Sequence, residues 1–227
     1  MPQPSVPSGP PYATRSLGEL ARDIPGATTV FRRHHLDFCC GGETTLEVAA
    51  KEQHIDVESV VRELVPLDVG RPDDTPHDPI SLTNYIIVHF HDVHRRELPE
   101  LIALSATVEQ VHAGHVDLPA GLSNLLQTVM DELTAHMHKE EQVLFPMMRS
   151  NPGRFLAPPI ARMRAEHVDH GRMLQEIRDR TRELQLPSDA CNTWRALYAG
   201  LDRFITDFMQ HVHTENNILF PQFEGRA

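Results

Sequence analysis

This sequence predicts an all-α fold: a small N-terminal helical domain followed by an antiparallel four-helix bundle. Three observations predict it. Apolar residues recur at helical spacing over long stretches after residue 80, and no strand-like alternation competes with them. Proline, aspartate and glycine gather in PLDVGRPDDTPHDP at 66–79, the composition of a linker. A block then occurs twice: HMHKEEQVLFPMM at 136–148 and HVHTENNILFPQF at 211–223 share H-x-H-x-E-x-x-x-L-F-P at a separation of 75.

Taken in order, residues 1–14 carry five prolines and no apolar periodicity, which predicts a disordered leader. Residues 15–67 hold short apolar patterns interrupted by Pro25, Gly41-Gly42 and Pro66, a set of short helices around LDFCCGG. Residues 68–79 are the linker, and 80–224 the bundle. Its four helices are expected at about 80–108, 121–149, 157–184 and 190–222, punctuated by Gly114 with Pro119, Asn151-Pro152-Gly153 with Pro158-Pro159, and Pro187-Ser188. Short connections make neighbours antiparallel. Pro146 and Pro221 each remove a backbone donor, which predicts a kink or stop there.

Composition narrows the function. The 227 residues are 40% hydrophobic, enough for a core, and the formal charge of −11 argues against nucleic acid or an anionic membrane as partner. No apolar run approaches the roughly 20 residues that span a bilayer. The opening MPQPSVPSGPPYATR has neither an early positive charge nor an apolar segment of the kind that directs export. Three cysteines, two of them adjacent, do not make a disulfide framework, so a cytoplasmic location is expected. Histidine is the anomaly. There are 15, against three tyrosines and one tryptophan, and imidazole is the side chain that most often binds transition metals.

Helical phase places the histidines. Steps of three and four give stripes Ile80, Asn84, Ile87, His91, His94, Leu98, Leu101; Leu122, Leu126, Val129, Leu133, His136, Glu140, Val143, Met147; Ile160, Met163, His167, His170, Leu174, Ile177; and Leu197, Leu201, Phe204, Phe208, His211, Glu215, Ile218. His136 with Glu140, and His211 with Glu215, share a face; His138 and His213 point nearly the other way. His91 and His136 lie about 26 and 24 Å along their helices from the connection between them, and so meet at one level. Four histidines and two carboxylates buried together without a Lys or Arg in the same stripes would be costly unless paired or metal-bound. Imidazole with carboxylate suits iron, manganese or zinc, and inward pairs on a four-helix bundle are how dinuclear carboxylate sites are made. If Glu140 and Glu215 both bridge, two metals each receive two His and two carboxylate oxygens, and a solvent-derived bridge leaves an open position for a diatomic molecule.

The segments DFCCGG at 37–42, IIVHFHDVH at 86–94, HMHKEEQVLFP at 136–146, Glu166-His167 and ENNILFP at 215–221 together resemble the Repair of Iron Centres family of ScdA/YtfE type, from about Leu17 to Phe223. That resemblance implies a hemerythrin-like bundle with two non-haem iron ions per chain, oxo- or hydroxo-bridged, and a role in restoring iron–sulfur clusters damaged by nitric oxide or peroxide. It carries the metal ligands onto His91, His136, Glu140, His167, His211 and Glu215, the groups that periodicity selects. His94 and His170 remain as extra ligands, hydrogen-bonding supports or core histidines; Glu132 and Glu166 are carboxylates on an access route or a solvated face. Cys39-Cys40 matches the family's vicinal pair, suited to reversible thiol chemistry or to capture of metal or nitrosyl; two small buried side chains beside a Gly-Gly turn is the alternative. Cys191 is expected to be structural. Damaged iron–sulfur proteins and NO or O2 are the implied partners, for a monomer or homodimer. Two other functions use the same ligands: a gas-binding sensor of hemerythrin type, and an enzyme reducing NO to nitrous oxide.

Overall fold

The computed structural model describes residues 12–68, 75–76, 78–150 and 156–224. The leader expected at 1–14 and the linker at 68–79 therefore fall mostly outside the described residues. The chain divides into two compact units, Met1–Asp74 and Thr75–Ala227. Among the described residues there is no strand, only a single bridge between Ser16 and Thr45. No helix among the described residues is long and apolar enough to cross a membrane.

The described residues of the first unit hold four short helices: α1 (Leu17–Asp23), α2 (Ala27–Arg33), α3 (Leu46–Glu52) and α4 (Val57–Leu64). α1 starts on a capping box, in which the Ser16 hydroxyl accepts from the Glu19 amide and the Glu19 carboxylate accepts from the Ser16 amide. Asp56 caps α4 through the Glu58 amide. Leu17, Leu20, Ile24, Phe31, Leu36, Phe38, Leu46 and Leu64 are buried as the core. Tyr12–Thr14, expected in the leader, form a short 3₁₀ turn, and the Tyr12 hydroxyl donates to Asp68 at 2.7 Å.

The second unit is the bundle. Its first helix is α5 (Pro79–Ile86) continued into α6 (Asp92–Val111), its second α7 (Leu122–Lys139) continued into α8 (Phe145–Ser150), its third α9 (Ala157–Arg180), and its fourth α10 (Asn192–His213) continued into α11 (Pro221–Glu224). α9 stops short of the expected 184, because Arg182, Glu183 and Leu184 turn left-handed with φ of 52, 57 and 58°. Gly200 brings α10 against α6: a Cβ there would lie 2.6 Å from Leu101 Cδ2. That close approach sets the spacing between two of the helices that carry the site.

Three junctions are π-helical turns, at Ile87–His91, Glu140–Leu144 and Thr214–Leu219. Each is closed by an amide reaching back five residues: Asp92 to Ile87, Phe145 to Glu140, Phe220 to Glu215. A π turn inserts one residue into the α pattern and shifts the phase beyond it. The stripes predicted from unbroken α period fail just there. Ile80, Val143 and Met147 are exposed, and Leu82, Ile86, Phe90, Leu144 and Met148 are buried in their stead. Asn84 is exposed as well, and Ile87 only partly buried. Pro146 and Pro221 fall where the helical pattern changes, Pro221 directly after a turn at Phe220. They sit in the first turn of the α segments that follow the π turns, where a missing amide costs least. Beyond the turns, Leu82, Ile86, Phe90, Phe145, Ile160, Leu219 and Phe220 close one end of the bundle in an apolar cluster.

Candidate metal centre

The six residues selected by periodicity converge on one layer, all 1% exposed or less. They form two groups that share both carboxylates: His91, His211, Glu140 and Glu215, and His136, His167, Glu140 and Glu215, with donor atoms within 4.8 Å of one another in each. Glu140 puts Oε2 at 3.3 Å from His91 Nε2 and Oε1 at 3.3 Å from His136 Nε2. Glu215 puts Oε2 at 3.0 Å from His167 Nε2 and Oε1 at 3.3 Å from His211 Nε2. Each carboxylate thus offers one oxygen to each group.

The donor atoms are arranged for a cation. Nε2 of His91 faces Nε2 of His211 at 3.2 Å, and Nε2 of His167 faces that of His136 at 3.1 Å. All four carboxylate oxygens of Glu140 and Glu215 are buried without a hydrogen bond of good geometry. Buried acceptors left so are expensive, and a shared metal ion is the partner their convergence suits. The π turns contribute directly, since His91 ends one, Glu140 begins another and Glu215 lies in the third.

Around this layer, Nδ1 of three histidines is held. His91 Nδ1 lies 2.7 Å from Glu141, His136 Nδ1 2.9 Å from Glu166, and His167 Nδ1 2.9 Å from Asn216 Oδ1. A proton on Nδ1 donated outward leaves the Nε2 lone pair facing inward, which is how metal-binding imidazoles are oriented. The bracing carboxylates are anchored in turn: Arg95 donates to Glu141, and Lys139 and Arg162 both donate to Glu166 at 2.7 Å. Arg164 donates to the Asn216 carbonyl at 2.9 Å and lies over the Phe220 ring. Rings stack beneath the ligands, Phe145 on His91 and Phe220 on His167.

The electrostatics follow. Burial pulls the His91 imidazole down, but Glu140 and Glu141 outweigh it and raise its pKa to about 9; His136, between Glu140 and Glu166, rises against burial to about 10. Burial and the neighbouring Glu215 push Glu140 up, yet His136 and His91 hold it at about 2. Burial, with His91 beside it, keeps His211 neutral.

Glu166 is largely buried and braces His136, whereas Glu132 is exposed on a solvated face. His94 and His170 are buried one turn from the ligands, and burial depresses both, His170 to about 3. Neither belongs to the two groups that could hold a metal ion. His138 is exposed, whereas His213 is buried with Nδ1 at 2.8 Å from the Asn217 side chain. Sequence reasoning passed over Glu141 and Asn216, although both follow the shared Glu in each copy of the repeat. It also took Cys191 as structural; its thiol lies 3.1 Å from His112 Nε2, which lowers its pKa to about 7.

In the first unit a second cluster appears. Asp37 Oδ1 accepts from the Cys40 amide at 2.9 Å, the Cys39 amide at 3.2 Å and the Cys39 thiol at 3.2 Å, and the two thiols lie 3.9 Å apart. A Cβ at Gly41 would lie 2.8 Å from the Asp37 carbonyl, so the loop closes this tightly only over glycine. The contact with Cys40, reinforced by burial, pushes the Cys39 thiol well up. The donor atoms of Asp37, Cys39 and Cys40 lie within 4.8 Å of one another.

Comparison with known proteins agrees with this anatomy. The hemerythrin HHE cation binding domain matches residues 82–223, and a domain of unknown function (DUF542), ScdA_N, matches 13–68. Iron-sulfur cluster repair protein YtfE of Musicola paradisiaca (strain Ech703) is 47% identical over 214 residues, 93% of this chain and 96% of that one. The proteins of the same name from Yersinia pseudotuberculosis serotype IB (strain PB1/+) and Yersinia pestis (strain Pestoides F) are each 44% identical over 93% of this chain and 97% of theirs. The chain belongs to the hemerythrin HHE cation-binding family and, within it, to the group of two-domain proteins that these relatives represent.

Proposed function

We propose that this protein repairs iron–sulfur clusters damaged by nitrosative or oxidative stress, by donating iron or by removing NO locally. In this reading His91, His136, Glu140, His167, His211 and Glu215 would hold two non-haem irons. The observation that carries it is the division of each buried carboxylate between the two histidine pairs. When bound, the iron pair would supply adjacent redox-active Lewis-acid centres. The chain does the rest. Glu141, Glu166 and Asn216 keep the Nδ1 proton on their histidines so that each Nε2 stays an electron-pair donor. The apolar cluster around Phe90, Phe145 and Phe220 excludes water from one side of the layer.

The names of the relatives support cluster repair, and the N-terminal thiols give it a place to meet a client. Cys39 and Cys40, set on Asp37 in a tight loop, handle iron, NO or the partner's cluster, with damaged iron–sulfur proteins in the cytoplasm as those partners. The test uses an NO-inactivated dehydratase with a [4Fe–4S] cluster, mixed with the reduced, iron-loaded protein. Recovery of its activity by the loaded and not by the iron-stripped protein is expected; recovery equal in both, or none, overturns the reading. Nitrous oxide formed from limiting NO by the protein alone assigns the NO-removal route, and its absence assigns donation.

A further inference from the structure

The bundle's duplication relates the two metal positions by a near-twofold operation, and the exceptions to that symmetry are informative. At offsets of 75 or 76, His91 corresponds to His167, His136 to His211, Glu140 to Glu215, Glu141 to Asn216 and Phe145 to Phe220. The contacts obey it. Glu141 and Asn216, each following a shared glutamate, receive Nδ1 of His91 and His167, and Phe145 and Phe220 stack on the same two rings. The second pair of histidines breaks it. His136 Nδ1 is held by Glu166, whereas the residue corresponding to Glu166 is Phe90. Phe90 offers no acceptor; its ring stacks on His211 at 5.3 Å with planes 14° apart. His211 Nδ1 is buried with no hydrogen-bond partner. Of the polar rings beside it, His91 at 4.9 Å has its Nδ1 on Glu141, and His94 at 5.4 Å supplies none, since both of its own nitrogens are likewise unpaired.

Each position therefore has one carboxylate brace, Glu141 on one side and Glu166 on the other, each neutralised by arginine or lysine. The difference that remains is a whole hydrogen bond: His167 has Asn216 and His211 has nothing. An unbraced imidazole is free to carry its proton on Nε2, the atom that must bind the metal, and its ring is fixed by stacking alone. Loss of an outer hydrogen bond to a ligand of this kind costs about 10- to 100-fold in metal affinity. We infer that the two irons are held unequally, that the one at His91 and His211 leaves first, and that Phe90 is the positioning residue responsible. This rests on the reading that the bundle holds two irons. It adds which one is the exchangeable, deliverable iron.

The test is iron release from the full chain, loaded anaerobically with ferrous iron and challenged with excess ferrous chelator. Iron content measured before the challenge tests the two-iron reading by itself. If about two irons are present, two phases of equal amplitude are expected, with rates about 10- to 100-fold apart. Mössbauer spectra of the half-depleted protein should retain one quadrupole doublet of the original two. Glu166→Leu should speed only the slow phase and bring the two rates together. Phe90→Gln, which supplies an acceptor beside His211, should slow only the fast phase. Should Phe90→Gln fail to fold, the Glu166→Leu result still decides. A single release rate in the wild-type protein, or acceleration of the fast phase by Glu166→Leu, overturns the inference.

Discussion

The thiol loop of the first unit and the histidine–glutamate layer of the second are built in opposite ways. Asp37, Cys39 and Cys40 meet because they are neighbours in sequence, drawn together by one carboxylate and two amides. The metal layer collects residues from His91 to Glu215 and exists only when every helix of the bundle is in register. A local device tolerates damage elsewhere in the chain, whereas a long-range one fails with any of its supports. The two should therefore come apart under mutation.

The largest effect is expected from Glu140→Ala and Glu215→Ala. Each carboxylate serves both positions, so each change should reduce bound iron at both by more than about tenfold, read by metal analysis, while Cys39 and Cys40 react with a disulfide reagent as before. Loss of iron from one position only would show that the carboxylates are not shared.

Next in size is the pH response of the iron-stripped protein. His91 and His136 must shed protons held to about 9 and 10 before they bind metal. Ferrous affinity should therefore climb with pH between 7 and 9, by up to about 100-fold per pH unit for two protons released, as calorimetry in buffers of different ionisation enthalpy would show. The stability of the stripped bundle runs the other way. A raised histidine contributes stability that is complete below about 6.5 and lost as pH rises through 9 and 10. Glu140, depressed to about 2, contributes stability that is present above about 4.5 and lost as pH falls. Thermal melts of the stripped protein should thus peak between these limits, and added iron should flatten the alkaline side.

A smaller loss is expected for Gly200→Ala, which drives a methyl into Leu101 and should cost about 1–3 kcal/mol in a denaturant titration. The double Cys39→Ser, Cys40→Ser variant probes the opposite arm: iron content and its spectrum unchanged, cluster repair impaired. Repair at the wild-type rate would reduce the loop to packing. The smallest effect belongs to His138→Ala, exposed and away from the layer, within about 0.5 kcal/mol in stability and without change in iron.

Much of this layer was legible because imidazoles and carboxylates in an apolar stripe are conspicuous. Steps of three and four placed all six candidate ligands, His91, His136, Glu140, His167, His211 and Glu215, on inward stripes, and the repeat paired the two halves. Periodicity misled beyond the ligands, at Ile80, Asn84, Val143 and Met147, because a π turn adds a residue that no composition announces. The braces were missed for another reason. Glu141 and Asn216 stand about 100° around the helix from the ligand before them, a direction that reads as solvent until a neighbouring helix supplies the imidazole that faces it. His213 was hidden likewise, since its burial comes from packing rather than from its place in a stripe.

Glu166 has a further consequence. It touches His136 on its inner side, while on its outer side it is clasped by Lys139 and Arg162, whose side chains are 45% and 72% exposed. Three residues thus connect bulk electrolyte to a sealed interior. Ions that compete for the two outer cations alter how strongly Glu166 polarises the imidazole, so the electron-donating power of a fully enclosed ligand answers to the salt outside. Enclosure keeps water away from this layer without insulating it from the ionic atmosphere of its surroundings.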